Sequence, residues 1–179
     1  MTNTRQPEVW LRGPVSGIPA LLQPVAHSLL QCGEELRSHV ASLSPEQIWA
    51  RPAGAASIGF HVRHAAGSLD RLFTYARGER LSPAQQAALA VEAQPDSAAD
   101  IGTKLLAAFD DVVDRALAQL RTTDEAALVE FRGVGRAQLP STVVGLLFHA
   151  AEHTQRHVGQ VVTTTMIVRF SFERAGETA

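Results

Sequence analysis

The sequence predicts an all-α protein built as a four-helix bundle. Four long segments carry apolar residues at helical spacing, and no segment alternates convincingly like a strand. Apolar residues make up 45% of the chain and charged residues 19%, a composition that supports a packed globular core. The length of 179 residues is typical of one domain. We expect an irregular N-terminal arm at 1–17, the bundle at 18–168 and a frayed C-terminal tail at 169–179.

The first two long helices are predicted at residues 18–40 and 57–76. Pro24 lies inside the first segment, and because proline lacks a backbone N–H it should kink that helix or delay its start. Ser57 is the expected N-cap of the second helix, since its hydroxyl can accept a hydrogen bond from an unpaired N–H of the first turn. Gly78 is expected to end it.

The second half of the chain contains two further long helices, predicted at residues 98–121 and 141–168. Ser141 is the expected N-cap of the last one. A short helix at 83–92 is preceded by a capping-box sequence, with proline at the first helical position. Residues 128–139 fit either a loop or a small hairpin.

Charge and composition argue against nucleic acid and membrane as partners. Sixteen Lys and Arg residues against eighteen Asp and Glu residues leave a formal charge of −2, and the basic residues form no cluster. The most apolar long stretch, from Val143 onward, is interrupted by ionisable side chains and does not suit a bilayer. Residues 1–11 lack the apolar core of a secretory signal. The single cysteine, Cys32, excludes an intrachain disulfide, so we expect a cytoplasmic protein.

Histidine is the compositional oddity of this chain. Three of its seven histidines, His149, His153 and His157, recur every four residues in the last helix. Residues four apart lie on one helix face, so two imidazoles there can bind one ion at about 2.0–2.1 Å each. A pair supplies only two ligands, and in bundles a third comes from a facing helix. His157 lies nearest the apolar face and His149 furthest from it, which favours the pair His153 and His157.

The second long helix offers two candidates for the third ligand, His61 and His64. His64 shares its row with Ser68, Arg71 and Tyr75, and a polar row of this kind makes sense if it lines a pocket. The residues alone therefore leave the third ligand open.

Two histidine-containing segments of the sequence resemble segments of a known family. Residues 153–160 spell H-T-Q-R-H-V-G-Q and resemble the H-x3-H-x-G-Q signature that closes the last helix of the DinB-like (YfiT-like) superfamily. Residues 57–68 resemble the histidine segment of that family's second helix. The resemblance covers most of the chain and implies an up-down-down-up bundle, usually dimeric, with a divalent metal ion held by three histidines. At the matching positions these are His64, His153 and His157.

The resemblance also implies a class of function. The family includes metal-dependent thiol S-transferases that use low-molecular-weight thiols, and a thiol-dependent maleylpyruvate isomerase. It therefore implies a small-molecule substrate, a low-molecular-weight thiol, a homodimer and an ion such as Zn or Ni, which imidazole ligands suit. Arg71, Tyr75 and Gln160 are candidates to contact the substrate or support the ligands, and Gln160 follows His157 closely enough to orient its ring.

Two other interpretations are weighed against this one. Residues 149–153 match the H-x-x-E-H pattern of inverzincin metalloproteases, but that site needs a further ligand well downstream, and only residues 154–179 follow. Glu152 is better interpreted as a surface partner of Arg156, four residues on. The second alternative keeps the three-histidine site but makes it a structural or sensing module without a reaction. His61, His149 and the packed Cys32 are interpreted as structural.

Overall fold

The computed structural model describes residues 6–177, and helices dominate that part of the chain. The α-helices are α1 (Gln23–Val40), α2 (Pro45–Trp49), α3 (Ile58–Ala76), α4 (Pro83–Ala90), α5 (Ile101–Thr122) and α6 (Val143–Glu177). Two short strands, β1 (Phe131–Val134) and β2 (Leu139–Thr142), pair as an antiparallel hairpin with Phe131 opposite Thr142. The predicted all-α class is confirmed, and the hairpin resolves the alternative left open at 128–139.

The four long helices α1, α3, α5 and α6 enclose the core. Helices α5 and α6 each pack against both α1 and α3, so α1 and α3 take diagonal positions in the bundle. Side chains at the centre are almost fully shielded from water, and burial of each such large apolar group contributes about 1.5–3 kcal/mol. The largest of them include Leu29, Leu36, Leu69, Phe109, Leu120, Leu147 and Val158. The up-down-down-up order of the helices stays a prediction.

The first long helix starts later than residue 18. Ala20–Leu22 form a 3-10 turn, and the α-helix begins at Gln23 with Pro24 in its first turn. Proline is tolerated there because the N–H groups of the first turn have no partner inside the helix. The delay predicted from Pro24 is confirmed.

Helix α3, which carries His61 and His64, has the limits that the sequence predicted. The Ser57 hydroxyl accepts a hydrogen bond from the backbone N–H of Phe60 at 3.2 Å. Beyond the other end, Gly78 has a φ of +77°, a conformation that glycine adopts without steric cost. These local signals fix where α3 begins and therefore which of its side chains face α6.

The last helix begins at a different cap from the predicted one. The Thr142 hydroxyl accepts a hydrogen bond from the backbone N–H of Gly145 at 3.1 Å, so Thr142 caps α6 and the prediction of Ser141 was wrong. Ser141 instead lies in β2, where it pairs with Arg132 of β1. The strand extends through Thr142, so the helix begins only at Val143.

Helix α6 also continues beyond the predicted end near Val168, as far as Glu177. No glycine or proline lies between Val168 and Gly176, so nothing in the sequence stops the helix there. The predicted frayed tail is helical over its described part, and that expectation was wrong. Within residues 6–177, no helix combines the length and apolar character needed to cross a membrane.

Candidate metal centre

Three histidines from two facing helices meet at one point. His64 lies on α3, and His153 and His157 lie on α6; one ring nitrogen from each is within 4.8 Å of the other two. The ring centroids of His64 and His153 lie 4.5 Å and 4.6 Å from that of His157. The structure therefore brings together the three residues that the family resemblance implied as ligands.

The spacing and chemistry of these rings fit a divalent ion. Nε2 of His64 lies 3.1 Å from Nε2 of His153. Two nitrogens bound to one tetrahedral zinc ion are about 3.3 Å apart, so the two rings already have nearly the separation that a shared ion requires. Imidazole suits zinc and nickel among the divalent metals. Three protein ligands leave a coordination position open, which is typical of catalytic rather than purely structural sites.

A buried carboxylate orients His64. Glu92 is 6% exposed, and its Oε2 accepts a hydrogen bond from Nδ1 of His64 at 2.7 Å. This partner keeps the proton on Nδ1 and leaves the Nε2 lone pair directed toward His153. A carboxylate behind a histidine ligand is the common way in which proteins fix the tautomer and ring orientation at a metal site. Glu92 is the functional residue that sequence reasoning missed.

Arg71 in turn holds Glu92. Its Nη1 donates to Oε1 of Glu92 at 2.7 Å, so the buried carboxylate is paired with a positive charge. Gly67 makes room for this pair, because a Cβ at that position would lie 2.6 Å from Glu92 Oε1 and 2.7 Å from Arg71 Nη1. Arg71, a predicted substrate or support residue, thus reaches His64 through Glu92.

The segment that carries Glu92 is fastened to α2 and α3. The indole Nε1 of Trp49 donates to the backbone oxygen of Asp96 at 2.8 Å. Arg63 donates to the backbone oxygen of Gln94, and its guanidinium lies 4.6 Å from the centroid of the Trp49 ring. These contacts hold an irregular stretch against the bundle, and they keep Glu92 in place beside His64.

His61 lies beside one of the candidate ligands. Its Nδ1 is 2.9 Å from Nδ1 of His157, and one of these nitrogens donates to the other. The bond occupies Nδ1 of His157 and leaves Nε2 of that ring for an ion. Gln160, predicted to orient His157, is exposed on α6, and the ring is held by His61 instead.

Burial favours the neutral form, which metals bind, in three histidines of this site: His61, His153 and His157. The pKa of His157 is lowered to about 4, first by burial and then by the neighbouring charge of His64 and His153. Burial is also the largest cause of the lowered pKa of His61 and of His153. Because a metal binds the unprotonated imidazole, these rings need lose no proton before binding an ion near neutral pH.

The remaining predicted residues surround the cluster at greater distance. Tyr75 is half-buried against the core, about 16 Å further along the axis of α3 than His64 at 1.5 Å per residue. Ser68 is buried, and the polar row does not meet the histidines as a unit. Cys32 is buried and its pKa is raised to about 12, mainly by burial, so its thiol stays protonated and unreactive.

A second group of possible ligands lies on the exposed side of α6. Single atoms of His149, Glu152 and His153 lie within 4.8 Å of one another. Nδ1 of His149 is 2.7 Å from Oε1 of Glu152, and Arg156 donates to Oε2 at 2.7 Å. The predicted pairing of Glu152 with Arg156 is confirmed.

Comparison with known proteins agrees with this arrangement. The sequence profile described as DinB superfamily matches residues 28–161, a stretch that contains the three histidines and Glu92. The crystal structure of a conserved protein from Enterococcus faecalis has a similar fold, with a TM-score of 0.68 and 18% identity over 83% of this chain and 96% of that one. No curated protein matches the chain.

Proposed function

The chain belongs to the DinB superfamily, and from that membership we propose that it is a metal-dependent enzyme acting on a small molecule. The reaction is transfer of a low-molecular-weight thiol to an electrophile, or a thiol-assisted isomerisation. The observation that carries the proposal is the convergence of His64, His153 and His157 from α3 and α6. Three protein ligands would leave a coordination position for a thiol or substrate. The proposed ion is Zn or Ni.

A bound divalent ion supplies a Lewis acid, which lowers the pKa of a thiol or polarises a substrate oxygen. The chain's own residues prepare the site for that chemistry. Glu92 holds the Nδ1 proton of His64, and His61 holds the ring of His157. The ring of Phe60 stacks on that of His64, with centroids 5.4 Å apart and planes 17° apart, and shields one imidazole face from water.

In the transfer reaction, the sulfur of the thiol forms a bond to an electrophilic carbon. The leaving group departs from that carbon with the bonding electron pair, and the thiol proton is released. Gln160, exposed one turn beyond His157, is proposed to contact the substrate. Tyr75 is proposed as a contact for the more distant part of a long substrate.

The second candidate is a non-catalytic module that uses the same ion for structure or sensing. It is favoured by the position of the site, because an ion held by His64, His153 and His157 cross-links α3 to α6. The variant His153→Ala distinguishes the enzyme from the non-catalytic module. An unchanged melting temperature with loss of turnover supports the enzyme, whereas a lower melting temperature in a protein without turnover supports the module.

Elemental analysis of the untagged protein tests metal binding directly. We expect about one divalent ion per chain in the wild type and little in His64→Ala, His153→Ala or His157→Ala. His39→Ala is the matched control, since His39 lies on α1 and its Nδ1 faces the backbone oxygen of Glu35. A wild type that binds no ion would refute the proposal.

The reaction is tested by turnover of electrophiles with bacillithiol, mycothiol or glutathione. Activity that requires the ion and the three histidines supports the transferase. If no electrophile is turned over with any of these thiols, the transferase proposal loses that support. The proposed homodimer is tested separately by ultracentrifugation at micromolar concentration. Exposed apolar side chains, among them Phe148 at 65% and Phe131 at 63%, are available to such an interface.

A further inference from the structure

We propose that His149 and Glu152 form an outer loading site through which a divalent ion enters the three-histidine centre. This inference rests on the proposed metal binding and concerns the route by which the ion arrives. His149 lies three residues before Glu152 and four before His153 on α6, so it is a neighbour of both on the helix surface. They take part in neither the bonds that orient His64 nor the bond that orients His157.

The first argument is that the two ligand groups share a residue. His149, Glu152 and His153 offer atoms within 4.8 Å of one another, and so do His64, His153 and His157. An ion held by the outer group can exchange His149 and Glu152 for the two inner histidines while it keeps His153. Transfer between the groups therefore needs no return of the ion to bulk water.

The second argument is the gradient of exposure. The side chain of His149 is 49% exposed and that of Glu152 is 31% exposed, whereas His64 is 23% exposed. A hydrated ion meets the outer pair first and loses its water in stages. Removing a divalent ion from water in one step is costly, so partial replacement of its water by the outer ligands lowers that barrier.

The third argument is charge. The ligand atoms of the inner group all belong to imidazoles, whereas the outer group also contains a carboxylate, which attracts a cation from a distance. The bond from His149 to Glu152 Oε1 already holds both side chains together. Arg156 occupies Oε2, and its positive charge opposes an approaching ion. Removal of the Arg156 charge should therefore act in the opposite direction to removal of the Glu152 charge.

The experiment measures association of Co²⁺ or Zn²⁺ with the metal-free full chain by stopped-flow mixing, and release by competition with a chelator. We expect Glu152→Gln to slow association by about tenfold, the low end of electrostatic steering effects. His149→Ala should also slow association, because it removes one of the outer ligands. In each variant dissociation should slow by the same factor as association, so that equilibrium affinity is unchanged. Arg156→Gln should accelerate association. Glu173→Gln removes an exposed carboxylate further along α6 and is the matched control.

If His149→Ala and Glu152→Gln both bind the ion at the wild-type association rate, the loading-site proposal is overturned. The proposed three-histidine metal centre is not affected by that result. Weaker equilibrium binding at an unchanged association rate would also overturn it, because the residues would then be ligands of the resting site. A wild-type chain that binds neither ion refutes the proposed function itself. Circular dichroism of each variant verifies that the rates are compared between folded proteins.

Discussion

The carboxylate of Glu92 accepts a hydrogen bond from His64 at 2.7 Å, on the opposite side of the ring from the nitrogen that faces His153. The same carboxylate accepts one from Arg71 at 2.7 Å. The negative charge of Glu92, which would be costly to bury alone, is thus paired, and the carboxylate orients His64, the candidate ligand on α3. The site therefore depends on a residue outside the three histidines.

Glu92→Gln should weaken metal binding by about 10–100-fold, the usual effect of losing a carboxylate that supports a histidine ligand. The amide nearly matches the carboxylate in size but carries no charge, so it holds the Nδ1 proton of His64 less strongly. Titration calorimetry with Zn²⁺ measures the change. Glu79→Gln, at an exposed salt bridge with Arg77, is the control and should have no effect. Equal affinities in the two variants would contradict this role for Glu92.

Gly67→Ala should destabilise the protein and weaken metal binding, although alanine normally favours a helix. The added Cβ would lie under 3 Å from the paired atoms of Glu92 and Arg71, so these two buried side chains have to shift. We expect a loss of about 1–3 kcal/mol in the free energy of unfolding, as for other overpacked sites. Chemical denaturation measures it.

Gly159→Ala on α6 is the matched control for that substitution. No atom lies within 4 Å of the Cβ that alanine would add there. The helix propensity of alanine should then dominate and raise the free energy of unfolding by about 0.5–1 kcal/mol. Stabilisation by both substitutions would show that the Glu92–Arg71 pair can move aside freely.

The sequence could predict the pair His153 and His157 because its signal is local, whereas the choice of His64 over His61 came from the family resemblance. His153 and His157 lie one turn apart in one helix, and His64 lies in a segment with recognisable limits. Glu92 carries no such signal, since it meets His64 across 28 residues and glutamate is usually exposed. One clue was present: Gly67 lies between His64 and Arg71 on the same helix row, and a glycine inside a helix often marks a close approach.

The helix ends also differ in whether local sequence or tertiary structure determines them. Ser57 and Gly78 act on their own neighbours, so the limits of α3 follow from the local sequence. The start of α6 depends instead on how far β2 extends in its pairing with β1, and that pairing reaches Thr142 opposite Phe131. The sequence predicted Ser141 as the cap, but β2 continues through Thr142, and the cap is this last residue of the strand.

The metal-free protein should lose stability as the pH falls from about 6.5 toward 4. The pKa of His157 in the folded chain is lowered to about 4, from 6.5 for a free imidazole, so the unfolded chain binds this proton first. Above pH 6.5 both states are neutral and the effect vanishes. Urea unfolding in the presence of a chelator, at several pH values, measures the decline. It should be shallower in His157→Gln, and an identical pH profile would contradict the assignment.

His61→Leu should weaken metal binding by about tenfold, less than the loss of a ligand, because His157 keeps its nitrogen but loses the group that orients it. It also leaves Nδ1 of the half-buried His157 ring without its partner at 2.9 Å, which should cost about 1 kcal/mol, the low end of the range for buried groups, in the free energy of unfolding. His61→Gln retains hydrogen-bonding atoms and should recover part of both losses. Calorimetric titration and chemical denaturation measure them. If leucine and glutamine behave alike, the His61 ring contributes packing alone.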